Sequence, residues 1–156
     1  MTRSILFVCL GNICRSPSAE GVVRERLKEA GMEVLVDSAG TGDWHVGKPP
    51  YGPMQEAARA RGYELGGLRA RQVSGADFHR FDLILAMDDE NYQDLARLQP
   101  SGASARLARF TDYVDDADFV PDPYYTRDFD GALDLIERAA DGLVAALRDG
   151  ENRTKP

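Results

Sequence analysis

Cysteine is scarce. The chain has two, Cys9 and Cys14, both in one short stretch near the N-terminus. That is too few for the disulfide framework of a small secreted domain. Histidine is equally rare, with only His45 and His79. Two cysteines with only these two histidines are a thin ligand set for zinc, so no metal or other cofactor is expected. No apolar run approaches the roughly 20 residues that span a bilayer. The start, "MTRSILFVCLGN", falls short of the roughly 7–15-residue apolar core of a secretory leader. Positive charge is in deficit, 19 basic residues against 26 acidic, for a net charge of −7. This disfavours nonspecific contact with nucleic acid or an anionic membrane. Repeats, linkers and low-complexity tracts are missing. A chain of 156 residues suits one domain, expected over 1–150, with a frayed tail at 151–156. These features together predict a cytoplasmic globular protein.

Strand and helix signals alternate along the chain. "SILFVC" (Ser4–Cys9) is nearly all apolar, as in a strand buried on both faces. Ser16-Pro17 reads as a helix start, with Ser16 as N-cap and Pro17 at the first helical position, running to Ala30 and stopped by Gly31. "EVLVDS" (Glu33–Ser38) and "FDLILAM" (Phe81–Met87) read as further strands, and Ala105–Phe110 as a weaker one. Helices are expected at Met54–Arg61, at Asp89–Leu98 behind an Asp88 cap, and near the C-terminus from Leu133 to Leu147. Loops are expected at Ala39–Pro53 and at Asp112–Gly131. The alternation predicts an α/β fold, a mostly parallel sheet with helices on both faces. Such sheets bind ligands at the carboxyl ends of their strands.

"FVCLGNICRSPSAEG" sits at the carboxyl end of the first strand. A strand–loop–helix turn aims backbone N–H groups and a helix N-terminus at one point, which suits a tetrahedral dianion. Gly11 and Asn12 are the loop residues most able to adopt positive φ. Arg15 can clamp two oxygens. Cys9, at the base of the same field, is favoured as a thiolate nucleophile, and Ser16 can donate to its sulfur. A lone cysteine after a strand is ordinarily a small apolar residue. Here cysteine, arginine and serine share one turn, and catalysis is the better reading. Phosphoryl transfer to a poor leaving group also needs a proton donor. "VPDPYY" offers Asp122, stiffened by Pro121 and Pro123.

"VCLGNICRSPSAEG" together with "DPYY" closely resembles the low-molecular-weight protein tyrosine phosphatases. "VDSAGTGDWHVGKPP", "RARQV" and "FDLILAMDDEN" follow in that family's order, so the resemblance covers nearly the whole chain. It implies a four-stranded parallel sheet with flavodoxin-like layering. It also implies metal-free hydrolysis of protein phosphotyrosine or aryl phosphates, with phosphate and other oxyanions as inhibitors. In that scheme Cys9 becomes a phosphocysteine. Asp122 protonates the leaving group and then activates water. Arg15 and the N–H groups of Leu10, Gly11, Asn12, Ile13 and Cys14 hold the phosphate oxygens. Asn12 fixes the loop, and Ser16 stabilises the thiolate. Trp44 and Tyr124 resemble the aromatic walls around the substrate ring. Two positions depart from the pattern. Leu68 stands where many members have a histidine supporting the loop asparagine. Tyr51 stands near a common aspartate, where it either alters the pocket rim or is simply solvated.

Three other readings compete. Related arsenate reductases relay oxidation through later cysteines, but none follows Cys14. A silent phosphotyrosine-binding module would not need Cys9, Arg15 and Asp122 together. A flavodoxin-like flavin binder would not need the cysteine. Finally, Cys14 shares the curled loop with Cys9, where a disulfide needs Cα atoms roughly 4.4–6.8 Å apart. Cys14 is therefore expected to capture oxidised Cys9 reversibly, making the site redox-sensitive.

Overall fold

The computed structural model describes residues 2–150, so the expected fraying of 151–156 lies outside the described residues. The elements are β1 (Ser4–Cys9), α1 (Arg15–Glu29), β2 (Leu35–Gly40), α2 (Gly52–Arg59), α3 (Asp77–Arg80), β3 (Leu83–Ala86), α4 (Asp89–Leu98), β4 (Arg106–Arg109), α5 (Pro123–Thr126) and α6 (Phe129–Arg148). A 3-10 turn spans Phe110–Tyr113.

The four strands form one sheet in the order β2-β1-β3-β4, and every pairing is parallel. β1 is central, which is why its run is apolar without a break. Its side chains alternate between two cores. Ile5, Phe7 and Cys9 pack with residues of α1, α2 and α6, while Leu6 and Val8 pack with Phe78 of α3 and Leu95 of α4. The apolar stripe of α6, with Leu133, Ile136, Ala140 and Leu143 fully buried, covers the first of these faces.

Several boundaries differ from the sequence reading. β2 begins and ends two residues later than expected, because its register runs from Ser4↔Leu35 to Cys9↔Gly40. Gly40 extends the strand where a side chain would not fit: a Cβ there would lie 2.7 Å from the Leu10 carbonyl oxygen. α1 starts at Arg15 with Cys14 in the cap position, so Ser16 is not the N-cap. Its hydroxyl is committed elsewhere, as shown below. Pro17 still falls in the first turn, where its missing N–H costs no helical bond. The expected loop at Asp112–Gly131 contains α5 and the first turn of α6, capped by Asp128, whose carboxylate accepts from the Gly131 N–H at 2.9 Å. α3 was not foreseen, since four residues carry no periodicity. Among the described residues no helix is long and apolar enough to cross a membrane.

Candidate active site

The loop from Leu10 to Cys14 joins the carboxyl end of β1 to the N-terminus of α1. Its curl depends on Asn12, which is left-handed with φ of 57°. Gly11 does not share that conformation, contrary to the sequence reading. Glycine serves there through close packing, since a Cβ would come within 3.1 Å of the His45 ring.

Asn12 is held at every polar side-chain atom. Its Nδ2 donates to Ser16 Oγ at 2.8 Å and to Ser38 Oγ at 3.0 Å. Its Oδ1 accepts from the Arg71 N–H at 3.0 Å. Ser38 donates onward to Glu20 Oε1 at 2.7 Å, and the Glu20 carboxylate is met by Arg24 at 2.6 Å. The loop asparagine is thus held without a histidine at position 68. Leu68 instead packs, partly buried, against the apolar core.

Two donors surround the Cys9 sulfur. The Asn12 N–H points at Sγ from 3.3 Å, and Ser16 Oγ lies 3.0 Å away. Asn12 already donates to that oxygen, so the Ser16 hydrogen can turn to sulfur or to the Ala39 carbonyl at 3.3 Å. The remaining loop amides are unclaimed. Among the described residues none accepts a hydrogen bond from the N–H of Leu10, Gly11, Ile13 or Cys14. Backbone donors gathered at a helix N-terminus form an anion cradle.

Arg15 is buried beside this cradle, 3% exposed. Its Nη1 donates to Asp88 Oδ2 at 2.7 Å and to the Val120 carbonyl at 3.0 Å. Its Nη2 lies 3.5 Å from Asp122 Oδ2. Burial works against the guanidinium charge, but Cys9, Asp88 and Asp122 outweigh it and hold Arg15 above its ordinary range. Asp122 caps α5, its Oδ1 accepting from the Tyr124 N–H at 3.1 Å. One carboxylate oxygen is thus anchored to its own helix and the other faces Arg15. Cys14 is a free, buried thiol, and burial above all, with Cys9 and Asp122 adding, pushes its pKa far up.

Cys9, Leu10, Gly11, Ile13, Cys14, Arg15, Trp44, Asp122 and Tyr124 line one cavity of about 350 Å³. Asn12 and Ser16 are not in its wall and act from behind the loop. His45 and Tyr125 are in the wall and were missed as site residues. Trp44 is 65% exposed and folds over Gly42, where any Cβ would collide with its ring. Among the described residues no group of three or more His, Cys, Asp or Glu side chains could hold a metal ion.

A sequence profile described as "Low molecular weight phosphotyrosine protein phosphatase" matches residues 4–153. The chain belongs to that family. It is 44% identical over 149 residues to the low molecular weight protein-tyrosine-phosphatase YfkJ of Bacillus subtilis, covering 93% of this chain and 96% of the relative. The crystal structure of YfkJ superposes with a TM-score of 0.90 over 97% of this chain and 98% of that one, at 42% identity. A low molecular weight protein-tyrosine-phosphatase of Streptomyces coelicolor is 46% identical over 160 residues, covering 96% of each chain. Wzb of Vibrio vulnificus in complex with benzylphosphonate has a TM-score of 0.83 at 29% identity, covering 93% of this chain and 99% of that one. Family membership accounts for the joint presence of the anion loop, the facing aspartate and the four-stranded parallel sheet.

Proposed function

We propose that the protein hydrolyses phosphate monoesters of tyrosine or other aryl alcohols through a phosphocysteine. The observation that carries this reading is the convergence of Cys9, Arg15 and Asp122 on one cavity walled by Trp44 and Tyr124. The Cys9 thiolate attacks phosphorus as the P–O bond to the leaving group breaks. Asp122 gives its proton to the departing oxygen. The Asp122 carboxylate then takes a proton from water, the hydroxide attacks phosphorus, and the P–S bond breaks to restore the thiolate. Ser16 and the Asn12 N–H receive the returning charge on sulfur. Arg15 and the unclaimed loop amides supply the positive field that phosphoryl transfer needs.

The wall chemistry supports an aryl substrate. Trp44, Tyr124 and Tyr125 offer flat apolar faces at the mouth, and Ile13 adds an apolar side chain beside the cradle. Inorganic phosphate and other tetrahedral oxyanions would occupy the same cradle as inhibitors. Cys14 would protect the nucleophile. When a peroxide oxidises Cys9 to the sulfenic acid, the Cys14 sulfur attacks it, an S–S bond forms and water leaves. Two free thiols, one of them essential, suit the reducing cytoplasm.

The test is hydrolysis of a phosphotyrosine peptide in the presence of a metal chelator, by wild type and by Cys9→Ser. Wild type should turn over undiminished and Cys9→Ser should be inactive with an unchanged circular dichroism spectrum. Turnover by folded Cys9→Ser, or loss of wild-type activity on chelation, would overturn the reading.

A further inference from the structure

Tyr51 touches both halves of the site without lining its cavity. Its backbone N–H donates to the Ile13 carbonyl at 2.8 Å, which ties it to the anion loop. Its ring centroid lies 5.1 Å from that of Tyr124 and 6.1 Å from that of Phe129. Its hydroxyl accepts from Arg127 Nη1 at 3.1 Å. Arg127 completes the arrangement from the acid side. Its guanidinium carbon stands 5.3 Å from the Tyr51 ring centroid and 5.2 Å from that of Phe129. The same Nη1 also donates to the Tyr124 carbonyl at 3.3 Å.

Arg127 is left-handed, with φ of 64°, at the end of the single turn of α5. A side chain with a Cβ adopts that backbone only when its surroundings favour it. Here the guanidinium lies beside two aromatic rings and is bonded to the hydroxyl of one of them. The turn it closes begins at Asp122. A four-residue helix has little stability of its own. The position of Asp122 relative to Cys9 therefore depends on what holds that turn in place.

We propose that Tyr51 and Arg127 form a latch that sets the acid segment Asp122–Arg127 against the anion loop, making both of them positioning residues for proton transfer. The inference rests on Asp122 being the general acid. Tyr51 is not simply solvated: it is partly buried, packed against Tyr124 and bonded across the site. Proton donation requires close approach of the carboxyl to the leaving oxygen, so a loosened turn should penalise substrates that need the proton and spare those that do not.

The experiment measures kcat/KM for aryl phosphates spanning good to poor leaving groups. The proteins are wild type, Tyr51→Phe, Arg127→Gln and Arg127→Lys, each also in an Asp122→Asn background. Tyr51→Phe keeps the ring and removes only the acceptor. Arg127→Gln removes the charge without changing the backbone demand. Loss of a contact of this kind should lower kcat/KM for the poorest leaving groups by roughly threefold to tenfold and hardly affect the best. Arg127→Lys should recover part of the loss. In the Asp122→Asn background the latch substitutions should have no further effect. If Asp122→Asn steepens the leaving-group dependence but Tyr51→Phe and Arg127→Gln do not, the latch is wrong. A uniform loss across all leaving groups overturns it too, since that marks general damage. If Asp122→Asn itself leaves the dependence unchanged, the acid assignment falls and takes the latch with it.

Discussion

Arg15 is held by Asp88 at 2.7 Å and approaches Asp122 only to 3.5 Å. The guanidinium proposed to hold phosphate oxygens is thus oriented from behind by one carboxylate while the other faces it across the cavity. Asp88 also caps α4, its Oδ1 accepting from the Asn91 N–H at 2.7 Å. A single side chain couples the start of a helix to the aim of the guanidinium.

Asp88→Asn should separate these two duties. Asparagine is as good an N-cap as aspartate, so α4 should survive. The charge-assisted bond to Arg15 is lost, and such bonds contribute about 1.5–3 kcal/mol. kcat/KM for an aryl phosphate should fall roughly tenfold or more, with the thermal midpoint little changed. Activity at the wild-type level would show that Arg15 is oriented without Asp88.

Cys14→Ser should change recovery from oxidation more than it changes turnover. Wild type treated with peroxide should regain activity on adding a thiol reductant, with a Cys9–Cys14 linkage visible by mass spectrometry. Cys14→Ser should recover far less, because unprotected sulfenic acid proceeds to irreversible products. Bound phosphate should slow inactivation of both proteins. Equal recovery without a linkage would leave Cys14 as packing.

Tyr113 gives a prediction in alkali. Burial above all pushes its phenol up from 10.0 to about 12, and its hydroxyl is buried with no hydrogen-bond partner among the described residues. The folded state therefore keeps the proton longer than the unfolded chain does. Stability from this source is full below pH 10 and is lost as pH rises toward about 12. Tyr113→Phe should flatten that alkaline decline. It should also raise stability at neutral pH slightly, because an unpaired polar atom leaves the interior. Urea unfolding of both proteins across this range would show it, and parallel declines would exclude Tyr113 as the cause.

The local part of the site was legible because strand, anion loop and helix are consecutive in the chain. A central strand buried on both faces must be a continuous apolar run, and Ser4–Cys9 is one. Nucleophile, cradle and clamp then follow within the next few residues. Asp122 was legible through its proline-stiffened surroundings. Ser16 is read both as a partner of the Cys9 sulfur and as a helix cap; it lies 3.0 Å from that sulfur, but the cap position falls to Cys14. Gly11 was misread because the ring it must avoid belongs to His45, in another loop.

Residue types and their order along the chain were enough to predict the α/β fold that the structure shows, and to nominate Cys9, Arg15 and Asp122 for the site proposed above. Support for that site was decided in three dimensions. Parallel strands bring their carboxyl ends to one edge, so Ser38 near the end of β2, Asp88 after β3 and the α5 turn all meet the loop after β1 or Arg15 at its end. Ser38, itself bonded to Glu20, and Arg71 hold Asn12 from separate segments, and Tyr51 meets Arg127 across 76 positions of chain. Such pairings leave no periodic or spacing signal, because the distance that matters is set by the sheet and not by the chain.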